Sequence, residues 1–292
     1  MSYRNGVANT ANDFFQVIQA FFNEQQPVDW ELLYGSSSTP DRISIKHKTK
    51  DVVLAFLWYD SGVDCWHGMG TKTDGTWPGI KMQAPNEGRG GGGLGMTYPC
   101  RYHIACNQGG FIVALERESD GYCVVCGGGT WQKNDVTGDA GVWGSTNPND
   151  YQWGIQQTHF LSGNNASYRR RCGFVAEFSP TPSWLQIGYR TGYYETPTNP
   201  DILPIFQRGG IGIYNTTDIE KTAFKLSATT VFMPVLFTRK QPQGWYVMGE
   251  VDWLRVCSTK YLSSGDSVNY NGKHWVVIAC PTPGGVGIAV EI

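Results

Sequence analysis

GDSVNYNGKHWVVI, residues 265–278, contains a turn, a strand, a second tight turn and another strand, with no obvious catalytic group. Residues 267–270 and 274–279 are the two strand candidates. Asn271-Gly272 between them is the best hairpin signal in the chain, because both residues tolerate the positive φ of a type I′ turn. A chain that closes on so regular a hairpin is expected to be mainly β.

The surrounding sequence extends that reading. Strand signals continue at 211–214, 231–239, 244–256 and 286–291, and earlier at 42–47, 51–58 and 172–178. Residues 110–115 and 121–126 are separated by the charged turn 116–120 and are expected to pair as a hairpin. Composition agrees: 37 Gly, 15 Pro, 11 Trp, 15 Tyr and 13 Phe accompany only 16% charged residues, a chemistry of short strands and many turns. At 292 residues the chain is near the size at which single cores stop growing. The Pro-rich passage 195–206 is the natural divide. The expectation is therefore two β-sandwich or barrel-like parts, 1–200 and 201–292, with long Gly- and Trp-rich loops at 68–98 and 130–168.

One segment reads as helix. In NDFFQVIQAFFNEQQP, residues 12–27, Phe14, Phe15, Val17, Ile18, Phe21 and Phe22 recur on one face of a 3.6-residue period. Asn12 is placed to cap its start and Pro27 marks its end. The apolar face either packs on the protein's own sheet or meets a partner subunit. Its polar side lacks the Lys and Arg of a membrane-surface helix.

Charge and cysteine content exclude some functions. A net charge of -2 gives no electrostatic footprint for nucleic acid. No run approaches the roughly 18 apolar residues of a membrane span, and the first residues lack a secretory pattern, so the chain is expected to be made in the cytosol. Cys100, Cys106, Cys123 and Cys126 allow three states: a structural zinc site, a disulfide among them, or free buried thiols. Zinc is disfavoured because a strand through 122–126 points residues i and i+3 to opposite faces. No other cofactor is implied.

Two carbohydrate readings compete with a purely structural one. Asp60, Asp64, Glu177, Glu250 and Asp252 lie near Trp or Tyr, as a glycosidase's carboxylate pair would. Trp131, Trp143 and Trp153 are candidate stacking platforms for glycan binding without hydrolysis, or else part of a packed aromatic layer.

The C-terminal part resembles a module of tailed-bacteriophage structural proteins. There a strand ending in G-E-[L/V]-D-x-[L/I]-x-x-[V/I]-S precedes G-D-x-[L/V]-x-[I/Y]-x-G-x-x-[W/Y]-[L/V]-V-[I/F]; here the two are GEVDWLRVCS at 249–258 and GDSVNYNGKHWVVI at 265–278. The resemblance covers about fifty residues, with residues 205–214 comparable to its lead-in. It implies a non-enzymatic, many-copy subunit of the virion's neck, collar or tail, assembled as a ring with copies of itself and with other virion proteins. On that reading Phe14, Phe15, Ile18, Phe21, Phe22, Trp253 and Trp275 are the association candidates, because apolar faces and strand edges are ready association surfaces.

Overall fold

The computed structural model describes residues 2–35, 42–49, 53–59, 62–69, 82–83, 98–118, 123–134, 140–145, 173–177, 183–186, 202–204, 232–241, 243–259, 261–278 and 286–292. In chain order the elements begin β1 (Ser2–Ala8), α1 (Ala11–Gln25), β2 (Trp30–Gly35), β3 (Arg42–His47), β4 (Val53–Tyr59), β5 (Gly62–Met69) and β6 (Met82–Gln83). There follow β7 (Cys100–Cys106), β8 (Gly110–Arg117), β9 (Cys123–Thr130), β10 (Gln132–Lys133), β11 (Ala140–Ser145), β12 (Gly173–Glu177) and β13 (Ser183–Gln186). Last come β14 (Ile202–Pro204), β15 (Phe232–Gln241), β16 (Gly244–Ser258), β17 (Ser267–Tyr270), β18 (Lys273–Ile278) and β19 (Val286–Glu291). The chain is mainly β, with one helix among the described residues.

Three sheets carry the strands. A seven-stranded central sheet runs β1-β7-β8-β9-β11-β12-β13, a five-stranded one runs β2-β3-β4-β5-β6, and a C-terminal one runs β14-β15-β16-β19-β18-β17 with β10 also paired to β16. The hairpin read from the sequence is β17–β18, where Asn271 at φ 52 and Gly272 at φ 72 make the turn. The pair expected around 116–120 is β8–β9, with Glu116 opposite Cys123.

The helix is capped at Thr10, two residues earlier than Asn12. The Thr10 hydroxyl accepts from Asp13 N at 3.1 Å, and Asp13 Oδ2 accepts from Thr10 N at 3.1 Å, a reciprocal capping box that Asn12 has no part in. Gln26 in the left-handed conformation and Pro27 end the helix as expected. Its apolar stripe, Phe14, Phe15, Ile18, Phe21 and Phe22, shares one core with Trp30, Ile43 and Ile45 of the five-stranded sheet and with Tyr102, Ile104, Phe111, Val113 and Leu115 of the central sheet. Phe22 stacks on Phe111 at 5.4 Å between centroids.

The central sheet is buried on its other face too. Ala105, Ile112 and Ala114 alternate with the residues of that core and are buried to 0–1% exposure. Double burial explains why β8 reads as the unbroken run GFIVAL instead of an alternating one. The C-terminal sheet reaches that face through Trp253. Across β15 and β16 the register jumps, so that Arg255 lies opposite Pro234 and Val251 opposite Val235, and residues 252–254 bulge out. Pro234 sits at this irregularity, where a missing N–H disrupts no regular ladder. The bulge delivers the Trp253 ring onto Gly109 and Gly110: a Cβ added there would lie 2.1 Å and 2.4 Å from ring atoms, so only glycine admits the ring. Trp253 Nε1 donates to Thr130 O at 2.7 Å.

The turn from β7 to β8 is where all three sheets meet. Asn107 Oδ1 accepts from Gly109 N and Gly110 N, each at 2.8 Å, and Asn107 Nδ2 donates to Glu291 O at 2.6 Å on β19. From the five-stranded sheet's side, Trp30 Nε1 donates to Asn107 O at 2.8 Å, and His47 Nε2 lies 2.8 Å from Gln108 O. Gly109 O accepts from Thr130 N at 2.7 Å. The sequence-derived division near residue 200, the strand expected at 211–214 and most of the glycine-rich loop 68–98 lie outside the described residues. Within them, β10 pairs with β16, so a segment near residue 132 belongs to the C-terminal sheet.

Trp253→Ala is expected to lower stability by about 3–5 kcal/mol, the range for removing a buried large aromatic. Trp253→Phe should cost less, since a ring still covers the glycines while the bond to Thr130 is lost. Urea denaturation monitored by far-UV circular dichroism measures both, and equal costs would contradict the packing role.

Candidate functional site

The described residues bring one line of titratable groups together at the edge of the central sheet. Tyr3 on β1 lies 2.8 Å from His103 Nδ1 on β7, and His103 Nε2 lies 3.4 Å from Glu116 Oε2 on β8. Tyr3 and Asn5 extend from one face of β1 by the two-residue alternation, and Asn5 Nδ2 donates to the Tyr3 hydroxyl at 3.2 Å. Gly265 from the loop before β17 closes over them: a Cβ there would stand 3.1 Å from Tyr3 Oη and 3.6 Å from His103 Cε1. His103 is 3% exposed.

Burial raises the Tyr3 pKa above its ordinary value. The hydrogen bond from Asn5 opposes the rise, and the nearby carboxylates of Glu116 and Asp266 add to it. The hydroxyl therefore stays protonated at neutral pH. An activated nucleophile requires the opposite shift. The chemistry available to this line is positional: Tyr3 and His103 join β1 to β7, and Glu116 of β8 lies beyond His103. Neither Tyr3, His103 nor Glu116 carried a sequence signal, because the line joins residues a hundred positions apart.

A second polar group lies on the C-terminal sheet. Arg255 Nη1 donates to the carbonyls of Val251, Asp252 and Leu254 at 3.3, 3.1 and 2.8 Å, and Nη2 pairs with Glu250 at 3.0 Å. Its guanidinium stands 5.1 Å over the Trp275 ring. Arg255 thus caps the carbonyls of the Trp253 bulge. Asp252 Oδ2 accepts from Gln132 Nε2 at 2.6 Å, so both carboxylates considered for sugar hydrolysis on β16 are engaged with neighbours. Asp64 is on β5 and Glu177 on β12, so four of the five candidates are spread over all three sheets; Asp60 lies outside the described residues.

Trp131 is 4% exposed and lies against Gly249, which corrects its reading as a stacking platform. Trp143 is on β11 opposite Phe174 and Gly128, and Trp153 lies outside the described residues. The seven association candidates are likewise interior. Phe14, Phe15, Ile18 and Phe21 are 0% exposed, Phe22 6%, Trp253 3% and Trp275 1%, so they close this chain's own core instead of offering a surface. Amphipathic period alone does not distinguish the two outcomes.

Cys100 and Cys106 are free buried thiols at opposite ends of β7, about 20 Å apart at the rise of a strand. Cys123 is two strands from Cys100, since both Cys123 and Arg101 face Glu116; a spacing of about 9.5 Å exceeds what a disulfide spans. Cys126 pairs with Val113 on the same β9. Among the described residues no three His, Cys, Asp or Glu groups converge to hold a metal ion.

Among the described residues each sheet ends in two strands paired on one side only: β1 and β13, β2 and β6, β14 and β17. Gly265, in the loop before β17, lies near Tyr3 of β1. Val7 on β1 is 49% exposed, and Tyr261, in the loop before β17, is 67% exposed. Among the described residues no helix is long and apolar enough to cross a membrane. No protein-family model matches the chain, and no curated protein matches it in sequence.

Burial pushes the Cys100 thiol up to about 12, with Glu118 adding to the rise, and burial likewise pushes Cys106 up. A thiol with a raised folded pKa contributes stability that is complete below the unfolded value of about 8.5 and is lost as pH climbs. Denaturation midpoints are expected to fall from about pH 8.5 towards 12. Iodoacetamide at pH 8 should leave Cys100 and Cys106 unmodified until the chain is unfolded, as peptide mapping would show; rapid labelling of either in the native protein contradicts the assignment.

Proposed function

We propose that this chain is a structural subunit of a tailed-phage particle that works by shape without chemistry, joining copies of itself in a ring at the neck, collar or tail and contacting other virion proteins. The observation that carries the reading is the edge strand β1, whose outer side no described strand pairs, with the loop before β17 lying near it at Gly265. Edges present unpaired N–H and C=O groups and are the standard template for adding another chain. The described interior is filled by the chain's own side chains. Its large aromatics fill cores, Tyr3 is held protonated, and Glu250 and Asp252 bind neighbouring side chains.

The sequence resemblance at 249–258 and 265–278 supports the same reading, since those residues form the Trp253 bulge and the edge hairpin. A net charge of -2 weighs against nucleic acid as partner. The glycan-binding reading loses Trp131, its one candidate with a described side chain.

The chain purified at micromolar concentration is expected to run well above its 32.4 kDa by light scattering, alone or with the other particle proteins, and to show closed rings by negative-stain microscopy. A chain that is monomeric in both conditions, or one that turns over a glycan, overturns the proposal.

A further inference from the structure

We infer that the open edge of β1 pairs antiparallel with β1 of a second copy, about a two-fold axis through Asn5, so that two central sheets become one. The inference rests on the association reading and names its surface. On its inner side β1 pairs with β7 one to one over all seven residues, from Ser2 opposite Cys106 to Ala8 opposite Cys100, with no bulge. No strand pairs with its outer side among the described residues. Edges that are kept single use proline, lysine, a bulge, an inward charge, or a covering helix or loop. SYRNGVA has no proline, no lysine and one charge, and that charge, Arg4, is drawn into an ion pair with Glu24 of α1.

The register follows from the side chains. With the axis at Asn5, Tyr3 faces Val7 of the second copy, an aromatic set against a β-branched residue, and the two asparagines meet at the centre. Arg4 then faces Gly6, over which the Tyr102 ring lies. Centring the axis on Arg4 would oppose two arginines, which is destabilising. Centring it on Gly6 would set glycine against glycine and move Tyr3 off Val7. The Asn5 register alone uses the exposed apolar residue, Val7 at 49% exposure, and avoids like charges.

The contact is larger than one strand. β1 spans about 23 Å at the rise of a strand, and the loop that holds Tyr261 and Gly265 borders it, since Gly265 touches Tyr3. Such an isologous contact joins copies in pairs, and ring closure then uses other surfaces.

The test is a charge swap at Asn5, an exposed position. Light scattering and analytical ultracentrifugation are run on wild type, Asn5→Lys, Asn5→Asp and an equimolar mixture of the two variants, with thermal unfolding followed by circular dichroism. Each variant alone is expected to fold but to associate at least tenfold more weakly, because the axis sets like charges opposite one another. The mixture should recover wild-type association, an outcome that misfolding cannot produce. If wild type associates and both variants keep its mass, or if the mixture fails to recover, the β1 pairing is wrong while the association reading stands. A wild type that is monomeric in every condition removes both.

Discussion

Asn107 and the three residues after it form the constraint on which the described structure depends. A buried turn must satisfy its own backbone polar groups, and here the Asn107 carboxamide does so for two amides while reaching β19 with its remaining donor. The carbonyls of residues 107 and 108 meet Trp30 and His47 of the five-stranded sheet. The flat face left by Gly109 and Gly110 takes the Trp253 ring. One tight turn therefore bonds three sheets whose contributing residues span positions 30 to 291. Separating the C-terminal sheet would strand the Asn107 donor and uncover the glycine face together, so the layers are coupled even though a proline-rich passage suggests a divide.

How much of this was legible follows from which signals are local. The Asn271-Gly272 hairpin, the helix with its Pro27 stop and the unbroken run of β8 are written in neighbouring residues, and they appear where expected. β1 and β7 gave no usable pattern. SYRNGVA carries Gly and Asn, which strands usually avoid, and becomes a strand by pairing with β7 a hundred positions away. The helix is capped at Thr10 and not at Asn12 because a reciprocal partner three residues on completes a cap, and Asp13 provides it for Thr10. The junction was invisible: Asn107, Gly109 and Gly110 look like any turn until Trp253 is known to lie above them.

Period also fixes which side of an element is apolar without saying what covers it. The Phe14 to Phe22 stripe could pack on the protein's own sheet or meet a partner, and Trp275 was an association candidate; all of them lie in the interior. The same holds for the β16 carboxylates. Proximity to tryptophan in sequence did reflect proximity in space, but Arg255 and Gln132 occupy those groups, so closeness served structure.

The edges complete the argument by contrast. Elsewhere the chain obeys local rules with care: the helix start carries a reciprocal cap, the hairpin uses the two residues its turn favours, the bulge carbonyls are met by Arg255, and the only charge on β1 is neutralised by Glu24. Sequences that satisfy such rules throughout break them mainly where function requires it. Under the proposed pairing, leaving β1 unbulged would be such a break, because the cheap remedies, a lysine or a proline, would not disturb the Tyr3–His103 contact if placed at exposed Val7. Tyr3 against His103 holds the strand to β7, so under the proposed pairing a second chain would meet a pre-formed template that loses little conformational freedom on pairing.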